Sequence, residues 1–427
     1  MPCKGHQFIT GAPCRMVSFA CGRAPETSGK ACRQLKGAPG ADGKMRALSL
    51  FANIGVAEAY LDRIGIEVKV ANEFVPSRAK MYSSIYPHTN MICGDINDPL
   101  VFSRIMRSSL DEGVDIVIAT PPCQGMSTAG EQDEDDERNK LILPTIAAIR
   151  IVKPKYAFLE NVPMFYQTEI PYRDGRKLIP EVMKDELSDL YDIEFKVLNT
   201  ADYGVPQTRA RAITLLTLKN AGLPKWQHPA PDQHQATLFD AIGHLPMLDP
   251  YVRDVSEAEL LQMFPHFYER RDQAAQISPW HVPPEHVKRQ VVAMQHTPTG
   301  CTAFDNPVYY PMKEDGSRVR GYRNTYKRQN WDTPAYTITM DNRKISSQNN
   351  VHPGRPEYID ANGEQIYSDP RTLTTYELML ASSLPADWPV PIDTPDAQLR
   401  RLIGEGIPPL FARKIFEQIP EEVRTNV

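Results

Sequence analysis

Cys123 is the residue whose setting most invites chemistry. The β-branched apolar run Val114 to Ile118 reads as a buried strand of a parallel sheet. It stops at Thr120-Pro121-Pro122, because proline supplies no ladder donor and holds its neighbour extended. The thiol therefore projects from a stiffened loop just past a strand's carboxyl end, where open α/β sheets place their ligands. Turn-formers follow it (Gly125, Ser127, Gly130), so Cys123 reads as a nucleophile more readily than as a small buried hydrophobe. Glu160 repeats this geometry: an apolar strand from Tyr156 ends in Leu159-Glu160-Asn161-Val162-Pro163 and delivers a carboxylate to the sheet edge. A third group precedes the strand Ala212 to Leu218, where alternation sets Gln207, Arg209 and Arg211 on one face. Three polar side chains there suit anion or base recognition better than core packing.

The elements that must position these groups alternate. Ala47 to Phe51 reads as a strand, Gly55 as the start of a helix carrying Ala57, Tyr60, Leu61 and Ile64, and Val68 to Ala71 as a second strand running into Asn72-Glu73. A helix over Pro76 to Tyr86, a short strand ending at Gly94-Asp95 and a helix near Leu100 to Leu110 precede the strand before Cys123. This pattern predicts an α/β fold with a Rossmann-like, doubly wound, mostly parallel sheet. Two features fit a nucleoside-bearing cofactor. A glycine-containing turn after the first strand lets a ligand approach the backbone, and Glu73 can accept from ribose hydroxyls. Asp95 could likewise accept from an exocyclic amine. Phe51-Ala52-Asn53-Ile54-Gly55 is nonetheless not a GxGxxG.

At 427 residues and 41% hydrophobic content the chain can fill more than one core. No apolar run is long enough to span a bilayer and no signal-peptide pattern is present, so the reading is of a soluble, cytoplasmic protein without a membrane role. Seven cysteines, four of them before residue 33, form neither a disulfide framework nor a compact zinc pattern, and no metal is expected. Residues 1–44, rich in Gly, Ala, Pro and Cys, read as a disordered extension, and the acidic run Glu131 to Glu137 as a solvated loop. The net charge of −5 gives no global sign of nucleic-acid binding, yet Arg318, Arg320, Arg323, Lys327 and Arg328, interleaved with Tyr322 and Tyr326, form a local basic stretch.

With these pieces assembled, the chain resembles the cytosine carbon-5 DNA methyltransferases of bacterial restriction–modification systems. The matching stretches stand in the family's order: Leu50-Phe51-Ala52-Asn53-Ile54-Gly55, Asn72-Glu73, Gly94-Asp95-Ile96, Pro121-Pro122-Cys123-Gln124-Gly125-Met126-Ser127, Asp136-Glu137-Arg138-Asn139, Glu160-Asn161-Val162 and Gln207-Thr208-Arg209-Ala210-Arg211. Arg371-Thr372-Leu373-Thr374-Thr375-Tyr376-Glu377 and Ile403-Gly404-Glu405-Gly406-Ile407-Pro408-Pro409 follow. The resemblance implies an S-adenosylmethionine-dependent methyltransferase fold with a smaller, irregular target-recognition domain. Residues 45–219 would form the catalytic and cofactor-binding domain, 220–330 the recognition domain, and 331–427 the segment that returns to complete the catalytic one.

Residue by residue, the resemblance makes Cys123 the nucleophile that adds to carbon-6 of cytosine. Glu160 would contact ring nitrogen-3 and the 4-amino group, and Arg209 the 2-oxo group, with Gln207 and Arg211 beside them. Gln124, Gly125 and Ser127 would lie on a loop closing over a flipped base. S-adenosylmethionine would lie across Phe51, Asn53 and Gly55, with Glu73 on ribose, Asp95 near the adenine amine and Pro121 along one wall, and with Phe74, Ile96, Glu405 and Gly406 also in the cofactor site. The chain departs from the family where Ser49 replaces an acid, Asn53 and Val56 replace glycines, and Gly404-Glu405-Gly406 replaces Gly-Asn-Ala; the Glu405 carboxylate is expected to alter cofactor affinity.

Residues 220–330 align with nothing, and their proline and aromatic content (Pro279-Trp280, His296-Thr297-Pro298, Tyr309-Tyr310-Pro311) predicts irregular loops. In this context the basic stretch reads as DNA-backbone contacts. The expected partners are double-stranded DNA and a companion restriction endonuclease, for a monomeric, nucleoid-associated enzyme that protects bacterial DNA. Rival readings are a transfer-RNA methyltransferase of the same family, a silent DNA-binding relative, and a Rossmann-type dehydrogenase; the last leaves Cys123 and Gln207 to Arg211 without roles.

Overall fold

A computed structural model describes residues 43–122, 137–321, 323–342, 345 and 350–425. Cys123, Gln124, Gly125, Ser127, most of the acidic run and the first 42 residues lie outside the described residues, as does Tyr322.

A seven-stranded sheet positions the rest. Its strands are β1 (Met45–Leu50), β2 (Ile66–Glu73), β3 (Asn90–Cys93), β4 (Ile116–Ala119), β5 (Tyr156–Asn161), β8 (Tyr191–Asn199) and β9 (Ala210–Leu218), in the order β3-β2-β1-β4-β5-β9-β8. Neighbours from β3 to β5 pair in parallel, and β9 runs antiparallel to both β5 and β8. Between β5 and β8 lies a hairpin of β6 (Glu169–Tyr172) and β7 (Gly175–Leu178), followed by α4 (Ile179–Leu187). Helices α1 (Pro76–Ile85), α2 (Pro99–Asp111) and α3 (Ile142–Val152) make the crossovers.

The sheet is covered on both faces, as a parallel sheet requires. All four residues of β4 are buried, and alternation along β5 sends Ala157 and Leu159 into one core and Tyr156 and Phe158 into the other. That second core is closed by chain from far away: Trp226, 1% exposed, packs against Phe158 and Phe416 and donates its indole N–H to the Ile415 carbonyl (2.9 Å).

Three expectations are corrected. The segment after Gly55 is not one helix but two 3-10 turns, Val56–Glu58 and Asp62–Ile64, between the left-handed glycines Gly55 and Gly65. The tighter winding turns Glu58 inward beneath β1, where Ser49 and Tyr82 bond it. Residues 220–330 are also less irregular than their composition predicts. They hold α5 (Leu238–Ile242), α6 (Glu257–Met263), α7 (Phe267–Ile277) and α8 (Lys288–Gln295), with β10 (Tyr251–Val252) paired to β11 (Glu285–His286). Local caps start α5 and α6: Thr237 and Asp240 form a reciprocal box, and the Ser256 hydroxyl accepts from the Glu259 N–H. Only beyond α8 do loops prevail, up to the hairpin of β12 (Pro356–Ile359) and β13 (Gln365–Tyr367).

The third correction concerns Arg328, expected on DNA. It is fully buried, and its guanidinium donates to the carbonyls of Met294, His352, Ser368 and Asp369 at 2.8–3.3 Å. A cation with that many backbone partners is a structural hub. Its neighbours Arg318, Arg320 and Arg323 are exposed, Arg323 pairs with Asp305 (2.6 Å), and Lys327 donates to the Tyr336 hydroxyl (3.3 Å).

Past β13 the chain forms α9 (Thr375–Ala381), α10 (Asp396–Glu405), α11 (Pro409–Phe416) and α12 (Glu421–Thr425). Arg371 is wholly buried and grips Glu377 through two 2.8 Å bonds and Asp369 through a third. Bidentate geometry compensates the desolvation of both charges, and the arginine holds the Glu377 carboxyl well below its usual range.

Candidate active site

The sheet brings the expected chemistry to one edge. Parallel pairing aligns Ala119 of β4 with Leu159 of β5, so the next residues, Thr120-Pro121 and Glu160-Asn161, leave the two strands side by side at their carboxyl ends. Asn161 fixes that edge by donating from Nδ2 to the Pro121 carbonyl (3.1 Å). Pro121 and Pro122 are the last described residues before Cys123. Glu160 is 9% exposed, and Arg211, at the start of β9, places Nε 2.7 Å from its Oε1. Burial raises the Glu160 carboxyl above its ordinary value, while the charges of Arg211 and Arg209 pull the other way. Such a carboxyl can share a proton with a ring nitrogen and answer charge developing on a base.

Gln207 and Arg209 are spent differently. Arg209, 4% exposed, donates to the carbonyls of Ile338 and Gly404 (both 2.9 Å). Gln207 accepts from the Ile338 N–H (3.1 Å) and donates to the Ser382 hydroxyl (3.2 Å). Backbone bonds Ala335 N–H to Pro206 (2.8 Å) and Thr208 N–H to Ala335 (2.8 Å) complete a seam between the strand approach and the returning segment. The printed bonds of Gln207 and Arg209 on the face inferred from alternation thus go to protein, whereas Arg211 makes the direct contact with Glu160. The partners of Gln207 lie more than a hundred residues away in sequence, which is why local pattern did not expose this role.

Just past the carboxyl end of β1, Phe51, Asn53 and Gly55 all adopt left-handed backbone. Glu73, closing β2, accepts the Asn53 N–H on one carboxylate oxygen (2.9 Å) and the Val75 N–H on the other (2.8 Å). Burial raises its carboxyl. Phe74 beside it is 65% exposed, Asp95 is exposed with Oδ1 accepting from Asn97 (2.9 Å), and Ile96 is buried beneath. The Asn53 side-chain oxygen is buried without a partner. An unsatisfied acceptor, an exposed aromatic face and a carboxylate with lone pairs to spare fit a nucleoside ligand.

Glu405 does not stand free: Arg78 (2.8 Å) and Arg401 (2.9 Å) pair with it. Gly406 admits the close approach of α10, since a Cβ there would lie 2.7 Å from the Val56 side chain. The carboxylate that the family lacks is therefore offset by two guanidiniums. Sequence reading missed Glu58, Arg78 and Tyr86; only burial marks out the first, and helical spacing gives no sign that the other two reach Glu405 and the Gly55 carbonyl.

Residues 45–421 match the family described as C-5 cytosine-specific DNA methylase. The Type II methyltransferase M1.HgaI of Avibacterium volantium is 40% identical over 380 residues, covering 88% of this chain and 98% of that protein. M1.HphI of Haemophilus parahaemolyticus is 27% identical, covering 87% and 86%. Among solved structures, a candidate DNA modification methyltransferase encoded within an E. coli prophage superposes with a TM-score of 0.59 at 18% identity, covering 88% of this chain and 98% of that one. A mutant of Spodoptera frugiperda DNMT2 gives 0.54 at 15%, covering 88% and 100%. At such identities the two structures speak for the fold alone. The family match over most of the chain, together with a relative 40% identical along nearly its whole length, places the protein in the C-5 cytosine-specific DNA methylase family.

Proposed function

We propose that this DNA (cytosine-5) methyltransferase acts on a cytosine flipped from duplex DNA, with Cys123 as nucleophile, Glu160 and Arg211 on the base, and S-adenosylmethionine as methyl donor. The observation that carries the reading is the Glu160–Arg211 pair, with Glu160 buried and its neighbour Asn161 bonded to Pro121, two residues before Cys123 in the chain. Carbon-5 of cytosine is a weak nucleophile, so the Cys123 thiolate adds to carbon-6 while Glu160 holds nitrogen-3 and the 4-amino group. The ring becomes enamine-like, carbon-5 takes the methyl group, its proton leaves, and elimination returns the thiolate. When bound, the cofactor supplies an electrophilic methyl on a sulfonium. Glu73 would hold its ribose, Asp95 and Phe74 its adenine, and the 51–55 turn its remaining part.

Arg211 takes the 2-oxo role expected of Arg209, because Arg209 is committed to two carbonyls. Arg318 and Arg320, on the exposed turn around Lys313 to Ser317, would meet phosphate. A core of its own (Val252, Leu260, Phe267, Val291, Met294, Tyr326 and Val351) supports a recognition domain from about residue 251 onward. Leu238 and Ile242 pack with Leu373 and Leu378 instead, on the catalytic side of that boundary. We read the protein as a bacterial enzyme paired with a restriction endonuclease, on the strength of its Type II relatives; among the described residues no helix is long and apolar enough to cross a membrane.

Incubation with tritiated S-adenosylmethionine and either duplex DNA or transfer RNA tests the substrate, and label in DNA alone is the expected result. Duplex carrying 5-fluorocytosine in the target should become trapped on the wild type and not on Cys123→Ser. Absence of any trapped species with wild-type protein and methylatable DNA would sink the mechanism.

A further inference from the structure

Beneath the 51–55 turn lies an acid that this reaction leaves without a role. Glu58 is 5% exposed. The Ser49 hydroxyl donates to its Oε1 (2.6 Å) and the Tyr82 hydroxyl to its Oε2 in a short bond. The same residue's N–H donates to the Gly55 carbonyl (3.1 Å), which also accepts from the Tyr86 hydroxyl (2.6 Å), itself bonded by the Trp388 indole (3.3 Å). Glu58 is therefore one hydrogen bond from the cofactor turn.

Its surroundings lack a counter-charge. β1 offers Ser49, and α1 and the residue that follows it offer the neutral phenols of Tyr82 and Tyr86. The nearby cations of adjoining segments are turned elsewhere: Arg413 pairs with Glu417, Arg63 with Asp387, and both lie over the Tyr60 ring. Among the described residues no cation pairs with Glu58. An unpaired carboxylate in a medium of low polarity acts over a longer distance than one in water. Burial lifts this carboxyl to about 7, so it changes charge within the working range of pH.

We propose that Glu58 is a positioning residue that gives the cofactor site its preference for a cation: its unpaired buried carboxylate favours a sulfonium ligand in the 51–55 turn over the neutral thioether that remains after methyl transfer. The inference rests on the S-adenosylmethionine reading and deepens it. The charge lost from the ligand on transfer removes its attraction to Glu58 and speeds product release. If the sulfonium form selects ionised Glu58, about a tenth of the sites are competent near pH 6, and apparent affinity there is about tenfold weaker than near pH 8.5.

Calorimetric titration of the intact protein with S-adenosylmethionine and with S-adenosylhomocysteine, near pH 6 and near pH 8.5, reads this directly. In wild type the preference for the sulfonium ligand should rise about tenfold across that interval. In Glu58→Gln it should stay low and flat apart from the ligands' own amino titration, which both proteins share. Tyr82→Phe removes a donor to the carboxylate, so the rise should begin at higher pH. This variant carries the test if Glu58→Gln does not fold, and an unmoved onset overturns the proposal. An equal rise in wild type and Glu58→Gln also overturns it. Failure of wild type to bind either ligand overturns the cofactor reading itself, whereas binding of both with no pH-dependent preference overturns the role of Glu58 alone.

Discussion

Arg209 and Arg211 stand two residues apart, and their surroundings divide the work between them. Removing Arg211 takes the guanidinium donor from Glu160 and leaves that carboxyl to keep its proton, since burial already raises it. Arg211→Ala should therefore lower kcat by about 100-fold while the melting temperature moves little. Arg209→Ala should do the reverse, costing about 3 kcal/mol in a denaturant titration because two buried carbonyls lose a charged donor. Measuring kcat and unfolding on both variants decides the assignment, and interchanged outcomes would return the base to Arg209. Glu58 makes a separate prediction about stability. Its folded pKa, about 7, lies above the unfolded value of 4.5, so burial of the neutral form is fully favourable below about pH 4.5 and is lost as pH rises through about 7. Wild type should lose up to about 3 kcal/mol of stability from this group between pH 5 and pH 8, and Glu58→Gln should not; parallel melting curves for the two proteins would contradict the burial argument.

The returning segment is held by elements that have little chemistry of their own. Gly404 of α10 lies so close to Thr339 that a Cβ would sit 2.2 Å from the latter's carbonyl oxygen. Gly404→Ala should push α10 off that strand of chain and cost about 2–3 kcal/mol, read as a lowered denaturation midpoint with unchanged slope. Arg328→Ala should cost at least as much, leaving four carbonyls without their donor. Sequence made the sheet and its strand ends legible because those signals are local: apolar β-branched runs, then proline or a carboxylate. Thus β4, β5 and Glu160 stand where expected, and Glu73 closes β2. Gln207, Arg209 and Arg328 looked like ligand-facing groups because nothing local reveals that their partners sit in Ile338, Gly404 and Ser368. The helices α5 to α8 were hidden for another reason: they are short and capped, in a region whose prolines dominate its composition.

For the molecule as a whole, a net charge of −5 means that attraction to DNA must come from a local face and not from the total. Arg318→Ala and Arg320→Ala should each reduce the slope of log affinity against log salt by about 0.9, whereas Arg323, already paired with Asp305, should change it less. Equal slopes in all three variants would place the phosphate contacts elsewhere. The last consequence belongs to the chain's path around Leu238 and Thr333. The Leu238 N–H bonds the Thr333 carbonyl (2.9 Å) and the Phe239 N–H bonds the Trp331 carbonyl (3.0 Å), so the stretch departing toward α6 and the stretch coming home run shoulder to shoulder. Whatever hangs from two adjoining posts can grow, shrink or be exchanged while the distance between the posts stays fixed. If the segment between the posts reads DNA, as proposed, that doorway would give the lineage a way to acquire a new target without disturbing the sheet edge at Glu160.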